Sequence, residues 1–144
     1  MSTVITRYAL LFVIGAVVLL AATRSLFSSS VVVIAAQLLA VGIMMWARRS
    51  FPEKSFRVDA IPSAETVIRR GPYRLIRHPM YSAALLFIWA AVLSHLSIWT
   101  VAIGVVVTII AALRVVFEER FLRDRYPEYA AYARVTKAIV PHVL

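Results

Sequence analysis

Apolar residues fall into three long blocks separated by polar stretches. The blocks cover residues 4–22, 31–47 and 80–116. A helix needs about 20 apolar residues to cross the hydrocarbon core of a bilayer, so the third block is long enough for two helices. Residues 94–97, Ser-His-Leu-Ser, supply a turn between them. The pattern therefore predicts an all-α integral membrane bundle of four transmembrane helices, arranged as two hairpins.

The composition supports a chain whose solvent is lipid. Hydrophobic residues make up 62% of the 144 residues and charged residues only 16%, whereas soluble domains carry about 25% charged residues. Cysteine is absent, which excludes disulfides, thiolate nucleophiles and Cys-based metal sites. A cleaved signal peptide over residues 1–22 is the weaker interpretation, because Leu20-Ala21-Ala22 is a poor cleavage site.

The boundaries of the blocks divide the chain into four parts. An N-terminal hairpin (1–47) is followed by a basic loop (48–79), a second hairpin (80–116) and a helical tail (117–144). Pro127 is expected to break the tail into two helical pieces, because proline disrupts a helix interior.

Basic residues predict the orientation of the bundle. The first short turn contains one of them, Arg24, and the second turn contains none. The positive-inside rule therefore places the loop, the tail, both termini and any site between them in the cytosol. The net charge of +9 is explained by topology and by attraction to anionic headgroups, and nucleic acid is not an expected partner. The basic residues of the loop and tail are Arg48, Arg49, Lys54, Arg57, Arg69, Arg70, Arg74, Arg77, Arg120, Arg123, Arg125, Arg134 and Lys137.

One candidate site lies in residues 69–81, which read RRGPYRLIRHPMY. Pro79 is placed for the first position of a helix, so Arg77 and His78 lie at a helix N-terminus, which attracts anions. Gly71 permits an unusual backbone turn. The alternative is a topogenic basic cluster with a proline cap. Two residues of the segment offer flat faces for a ring: Tyr73 and Tyr81.

A second candidate site lies where the last apolar block ends. Arg114 is still inside the apolar run, where ionisable groups are usually paired or functional, and it shares a helix face with Glu118 at i, i+4 spacing. Two adjacent carboxylates cannot point the same way, so one of Glu118 and Glu119 is expected to pair with Arg114 while the other faces a polar pocket. The alternative is a solvated helix end with surface pairs, namely Glu119–Arg123 and Arg120–Asp124.

Topology brings the two candidate sites to the same membrane surface. One favours anions and the other cations, with tyrosines between them, which suits a small zwitterion that carries an aromatic ring. No His, Asp or Glu cluster has the spacing of metal ligands, so no metal is expected.

The motifs of these two segments resemble a known family. GPY at 71–73, RHPMY at 77–81 and EERFL at 118–122 look like the signature of the isoprenylcysteine carboxyl methyltransferases and related phospholipid methyltransferases. The resemblance covers residues 71–141, and the first hairpin agrees only in hydropathy. The tail adds further residues of the pattern: Tyr126, Tyr129, Tyr132 and Pro141.

The resemblance implies a membrane-embedded methyltransferase that uses S-adenosyl-L-methionine. The carboxylate of this cofactor would meet Arg77, His78 and the start of the helix at Pro79, after the turn at Gly71. Tyr73 or Tyr81 would pack on its adenine. Its cationic groups would meet one of the paired glutamates, with Glu119 preferred for the cofactor and Glu118 for pairing with Arg114.

The acceptor that the resemblance implies is lipophilic and enters from the bilayer. The favoured acceptor is a carboxylate of an isoprenylcysteine-like or other lipid, which Arg114 or Arg120 would orient, while lipid amines and small thiols remain open. A non-enzymatic membrane scaffold or subunit with the same fold is the alternative. The oligomeric state is not predicted.

Overall fold

Five α-helices form the part of the chain that the structure, a computed structural model, describes. That part comprises residues 2–50 and 67–139, with side chains from residue 11 onwards. Within it, the one β-type contact is an isolated bridge between Ile76 and Lys137. The all-α prediction is therefore confirmed. The helices are α1 (Ser2–Ala22), α2 (Val31–Arg49), α3 (Pro79–Ser94), α4 (Ile98–Arg125) and α5 (Tyr129–Val135), with a short 3₁₀ helix at Gly71–Arg74.

Two of the described helices are long and apolar enough to cross a membrane, namely α2 and α4. With 28 residues, α4 is about 42 Å long and exceeds the roughly 30 Å hydrocarbon core. The 16 residues of α3 span only about 24 Å. The structure thus supports a membrane protein with two candidate spans, and four crossings stay a prediction.

The ends of α4 follow from its sequence. Ser97 and Thr100 form a reciprocal capping box at the N-terminus, which satisfies N–H groups that have no partner within the helix. At the other end the helix stops at Arg125, and Pro127 lies in the turn before α5. The predicted break at Pro127 is confirmed.

The helices pack in pairs that differ from the predicted hairpins. The most extensive contact joins α2 to α3, while α1 packs on α4 and α3 also packs on α4. The two helices of the first hairpin therefore lie mainly against the second pair. A core cluster surrounds the turns at residues 23–30 and 95–97, an end of the bundle that we term the turn end; its buried members are Leu20, Leu26, Ile88, Ala91, Val92 and Val107.

Close approach of α3 and α4 depends on Gly104. A Cβ atom there would lie 3.2 Å from the Trp89 ring, so the missing side chain lets the two helices meet, as small residues do in lipid. One turn further on, the Trp89 indole N–H donates to the Thr108 hydroxyl over 2.9 Å.

The opposite end of the bundle, which we term the basic end, is closed by the tail. There the backbone N–H groups of Arg77 and His78 donate to the carbonyls of Lys137 (2.7 Å) and Ala138 (3.0 Å). The N–H of Lys137 donates in return to the Leu75 carbonyl. The tail is therefore fixed beneath the first turn of α3. Pro141 and the loop residues Lys54 and Arg57 lie outside the described residues.

Candidate active site

Glu119 lies at the centre of a buried polar cluster at the basic end. Its Oε1 accepts from the Arg77 Nε–H over 2.6 Å and lies 3.3 Å from both the His78 Nε2 and the Tyr129 hydroxyl. Its Oε2 accepts from Arg123 at 3.0 Å. Both carboxylate oxygens of Glu119 are thus engaged by groups of the protein itself.

Arg77 connects three parts of the fold. Besides Glu119 on α4, its guanidinium donates to the carbonyl of Ala133 at 3.0 Å and closely to that of Thr136. These carbonyls belong to α5 and to the residue that follows it. Arg77 therefore holds the tail against α4, a role that its place at a helix N-terminus did not indicate.

Glu118 faces the other side of His78. Its Oε1 accepts a hydrogen bond from the Tyr81 hydroxyl and lies 3.4 Å from a terminal nitrogen of Arg114. Its Oε2 forms a longer ion pair with the His78 Nδ1, at 3.5 Å. A carboxylate oxygen has two lone pairs, so this oxygen retains acceptor capacity.

Arg114 has a polar atom without a partner. Its guanidinium lies 5.4 Å from the centre of the Tyr81 ring, within the range of a cation–π contact. Its Nε is buried and has no hydrogen-bond partner within the described part of the chain. Buried donors are nearly always hydrogen-bonded in folded proteins, so this N–H is suited to a ligand acceptor.

His78 lies between the two carboxylates and is buried. Burial lowers the pKa of His78, but the hydrogen bonds and negative charges of Glu118 and Glu119 outweigh that effect and raise the pKa above its ordinary value. The two carboxylates therefore favour the protonated, cationic form of the imidazole. The expected anion-binding half and cation-binding half of the site thus neutralise each other in this structure.

A protein-family model matches the part of the chain that forms this cluster. The family model described as phospholipid methyltransferase matches residues 27–129, which is more than two thirds of the chain and includes both segments of the cluster. The chain belongs to the phospholipid methyltransferase family. The resemblance seen in the sequence motifs is confirmed.

One curated relative adds a second comparison. The cobalt-zinc-cadmium resistance protein CzcN of Cupriavidus metallidurans is 38% identical over 81 residues, which cover 54% of this chain and 37% of that protein. The matched region is therefore a little over a third of the length of that relative. No solved structure matches the chain significantly.

The structure explains why a glycine opens the GPY motif at residues 71–73. Gly71 has a φ of 60°, in the left-handed region that favours glycine. A Cβ atom there would lie 2.1 Å from the Ser50 Oγ and 3.2 Å from the Trp46 ring nitrogen. Gly71 thus lies against the end of α2, where the backbone of the motif passes too close for a side chain.

Tyr73 is buried beside the cluster and linked to the tail. Its carbonyl accepts from the Tyr132 hydroxyl at 2.6 Å. Burial, with the nearby Tyr132 and the negative charge of Glu118, raises the pKa of Tyr73 above its ordinary value, and burial raises that of Tyr132 to about 12. Both phenols remain neutral at physiological pH.

The structure brings most of the predicted site residues of this family member together. Pro79 occupies the first position of α3 as expected, and Tyr73 lies next to the cluster. Arg120 is exposed on another face of α4, and Gly71 packs on α2. The residues in mutual contact are Arg77, His78, Tyr81, Arg114, Glu118 and Glu119.

Two contributions to the site were not predicted from the sequence. Tyr129 donates to Glu119, and its position in the tyrosine-rich tail was the available signal. The Ser82 hydroxyl donates closely to the Ile139 carbonyl, and no sequence pattern marked that contact. The Glu119–Arg123 pair exists, but the Glu119 carboxylate is buried, so a solvated helix end does not describe this residue.

Proposed function

We propose that this protein is an S-adenosylmethionine-dependent methyltransferase that methylates a carboxylate on a lipophilic acceptor, of the isoprenylcysteine type or another lipid. Its family supports the reaction class. The observation that carries the proposal is the buried Arg114 Nε–H of the cluster, which has no hydrogen-bond partner among the described residues.

The residues of the cluster fit the methyl donor chemically. S-adenosylmethionine carries a carboxylate, an ammonium, a sulfonium charge and an adenine ring. The cluster offers a cationic donor, a carboxylate acceptor and tyrosine rings in the same place, which is the complement that such a zwitterion requires. When bound, the cofactor would supply a methyl group on positively charged sulfur; as the acceptor oxygen forms its bond to that carbon, the C–S bond would break and the sulfur would leave as a neutral thioether.

Glu118 is the glutamate that we assign to the cationic part of the cofactor. Glu119 is saturated by Arg77, His78 and other donors, whereas the Oε2 of Glu118 has only the longer 3.5 Å pair with His78. This reverses the preference drawn from helix spacing alone. We assign a structural role to Glu119 and Arg77, which fix α4, α3 and the tail relative to one another around the site.

Arg114 is the residue that we assign to the acceptor. Its buried Nε–H would hold one oxygen of the acceptor carboxylate, which leaves the other oxygen to attack. A carboxylate is already an anion at neutral pH, so no general base has to remove a proton. Arg114 therefore acts by positioning, which supplies a large part of the rate in such transfers.

We place the basic end in the cytosol. Arg48 and Arg49 end α2, and Arg123 and Arg125 end α4, so the two candidate spans carry their positive charge on the same side. A reporter fused after Leu144 should be active in the cytosol. Activity of that reporter only outside the cytosol would contradict this orientation.

Titration of S-adenosylmethionine into the detergent-solubilised protein tests the proposal. The parent should bind, and Glu118→Gln should weaken binding about 10- to 100-fold, because a hydrogen bond to a charged group contributes about 1.5–3 kcal/mol. Asp124→Asn is the matched control, since Asp124 is an exposed carboxylate of the same helix. With labelled cofactor and a lipid extract, the product should be a base-labile ester, and a base-stable product would exclude the carboxylate acceptor.

A non-enzymatic membrane protein is the second candidate function. The observation that favours it is the internal pairing of Arg77 and His78 with Glu119, which satisfies these charges without a ligand. A parent protein that is folded in detergent but binds no S-adenosylmethionine would support this candidate and reject the methyltransferase.

A further inference from the structure

The two turns of the turn end expose large apolar side chains. The exposed fraction is 68% for both Phe27 and Leu96, 79% for Val31, 80% for Ile98 and 78% for Trp99. Soluble proteins seldom leave large apolar side chains together in water, and such a surface marks a contact with a membrane or a partner. We term the surface formed by these five side chains the apolar cap.

The length of α2 places the apolar cap at the boundary of the hydrocarbon core. The 19 residues of α2 span about 28 Å, and the core is roughly 30 Å thick. Because Arg48 and Arg49 end this helix at the basic end, its first residue, Val31, lies close to the opposite boundary. Trp99 is the second residue of α4, and tryptophan is enriched where membrane and water meet. The cap thus lies at the level of headgroups and acyl-chain ends nearest to them.

The polar groups of the two turns are satisfied within the protein. The buried Gln37 amide donates to the Leu26 carbonyl at 2.7 Å, and the Thr100 hydroxyl donates to the His95 carbonyl at 2.7 Å. Thr100 also forms the capping box of α4 with Ser97. Backbone groups close to hydrocarbon need partners within the protein, because water is scarce there. The two turns are therefore suited to immersion in the boundary of the bilayer.

Arg24 is the one permanently charged residue of the two turns, and its backbone is unusual. Its φ is 55°, in the left-handed region that is disfavoured for a residue with a side chain. The N–H groups of Arg24 and Ser25 donate to the carbonyls of Ala21 and Leu20, a helix ending that normally places glycine at the left-handed position. The positive-inside rule also disfavours a cation at this end. Backbone strain of this kind points to a function of the side chain.

The counter-charge for Arg24 comes from outside the described protein. Its side chain is exposed and forms no ion pair within the part of the chain that the structure describes. The acidic residues among the described ones lie between residues 118 and 128, at the basic end. Guanidinium groups bind phosphate through paired hydrogen bonds, and a long arginine side chain reaches from an apolar surface to the headgroups. Phospholipid phosphate is therefore the anion that fits this position.

We propose that the turn end docks on phospholipids of the leaflet opposite the basic end, with the Arg24 guanidinium on their phosphate groups and the apolar cap among their acyl chains. A soluble anion would satisfy Arg24 but leave the apolar cap in water. A lipid without phosphate would cover the cap but leave Arg24 without a counter-charge. The inference is independent of the proposed function, because the turn end lies at the opposite end of the bundle from the polar cluster.

Depth-dependent quenching of tryptophan fluorescence tests where the apolar cap lies. The protein has three tryptophans, so the double variant Trp46→Phe, Trp89→Phe retains Trp99 alone. In vesicles of bromine-labelled phosphatidylcholine, Trp99 should be quenched most by bromine close to the headgroup, and acrylamide in the water phase should quench it several-fold less than free tryptophan. Trp89 lies about 15 Å along α3, so the reference variant that retains it should be quenched most by bromine near the chain end.

A second experiment measures the contribution of Arg24. The variant that retains Trp99 is titrated in dodecyl maltoside with bromine-labelled phosphatidylglycerol, so that quenching reports lipid at the turn end. Arg24→Gln should raise the half-quenching concentration about tenfold or more, as expected when a hydrogen bond to a charged group is lost. Arg125→Gln is the matched control, because Arg125 is an exposed arginine of the basic end, and it should leave the titration unchanged. Bromine-labelled diacylglycerol, which lacks the phosphate, should bind as weakly as phosphatidylglycerol binds Arg24→Gln.

Arg24→Gly separates lipid binding from folding. Glycine adopts the left-handed backbone without strain, so this variant should melt in maltoside at the same temperature as the parent or at a higher one. It should nevertheless lose affinity for phosphatidylglycerol as Arg24→Gln does. Arg24→Lys should have an intermediate affinity, because lysine keeps the charge but not the paired hydrogen bonds.

Three results would overturn the inference. Quenching of Trp99 by acrylamide as strong as that of free tryptophan, without quenching by bromine, would show that the turn end emerges into water. Equal half-quenching concentrations for the parent, Arg24→Gln and Arg24→Gly would show that Arg24 does not bind the phosphate. Displacement of the lipid by inorganic phosphate would assign Arg24 to a soluble anion.

Discussion

The two ends of the bundle are held together by different forces. At the turn end the helices meet mainly through aliphatic side chains, with a Trp89–Thr108 hydrogen bond and a buried Gln37 amide that donates to the Leu26 carbonyl at 2.7 Å. There α1 leaves an open groove beside α4. At the basic end, Arg77, His78 and the paired glutamates join α3, α4 and the tail through short charged contacts. The first end is apolar and incompletely filled, whereas the second is densely connected.

The difference follows from the two solvents of the protein. Within lipid, apolar contacts gain little over contacts with lipid chains, so packing there depends on shape and small residues. Near the membrane surface, buried charges must find partners, because an unpaired charge is expensive. Paired buried charges are therefore concentrated at the second end, and loosely packed apolar side chains at the first.

Removing the Glu119 carboxylate should have the largest effect on this balance. In Glu119→Gln, Arg77 and His78 lose the anion that both contact, and removing one partner of a buried pair costs about 3–5 kcal/mol. Thermal melting in detergent should show a large loss of stability. Asp124→Asn, an exposed carboxylate one turn further along α4, should melt like the parent, and an equal shift in both variants would contradict the assignment.

A second prediction concerns the point where the loop motif meets α2. Gly71→Ala must adopt a left-handed backbone, which costs a residue with a side chain roughly 1–2 kcal/mol, and its methyl group collides with Ser50. Melting should reveal a loss of at least that size. Gly42→Ala supplies the control, because it introduces the same methyl group into open space within a helix and should leave stability equal or slightly higher.

Much of the fold was predictable because it depends on local pattern. Apolar blocks gave the helices, and Pro79 and Pro127 marked the start of α3 and the break after α4. The partners of α1 were not predictable, since an apolar helix in lipid carries no sequence signal for which neighbour it contacts. Connectivity suggested a hairpin with α2, but the structure packs α1 on α4.

The sequence predicted which residues belong to the candidate site, but not which of them contact one another. The i, i+4 rule anticipated the Arg114–Glu118 pair. It gave no information on Arg77, whose guanidinium reaches Glu119 and the carbonyls of Ala133 and Thr136. These contacts join residues more than 40 positions apart, and the two to the carbonyls exist only because the tail folds back beneath α3.

The charge state of His78 gives a third, pH-dependent difference between the two ends. Its pKa is raised in the folded protein by Glu118 and Glu119 despite burial, while Arg77 and Arg114 also contact these carboxylates. Protonated His78 therefore stabilises the folded state fully below its unfolded pKa of about 6.5. This contribution is lost as the pH rises through the raised pKa of the folded protein. The slope for one proton is at most about 1.4 kcal/mol per pH unit.

Melting curves across that pH range measure the effect. The parent should lose stability with rising pH, and His78→Gln should remove most of the dependence. His95 at the turn end provides the comparison, so His95→Gln should retain the profile of the parent. An unchanged profile in His78→Gln would mean that another group titrates in this window.

The smallest expected effect belongs to the hydrogen bond between α3 and α4 near the turn end. Thr108→Val keeps the shape of the side chain but removes the hydroxyl that accepts the Trp89 indole N–H at 2.9 Å. Side-chain hydrogen bonds between membrane helices contribute about 0.6 kcal/mol on average, so the loss of stability should be several times smaller than for Glu119→Gln. Thr108→Ser retains the hydroxyl and should melt close to the parent. A loss in Thr108→Val as large as that of Glu119→Gln would show that polar contacts dominate at both ends, and the contrast between an apolar and a charged end would then fail.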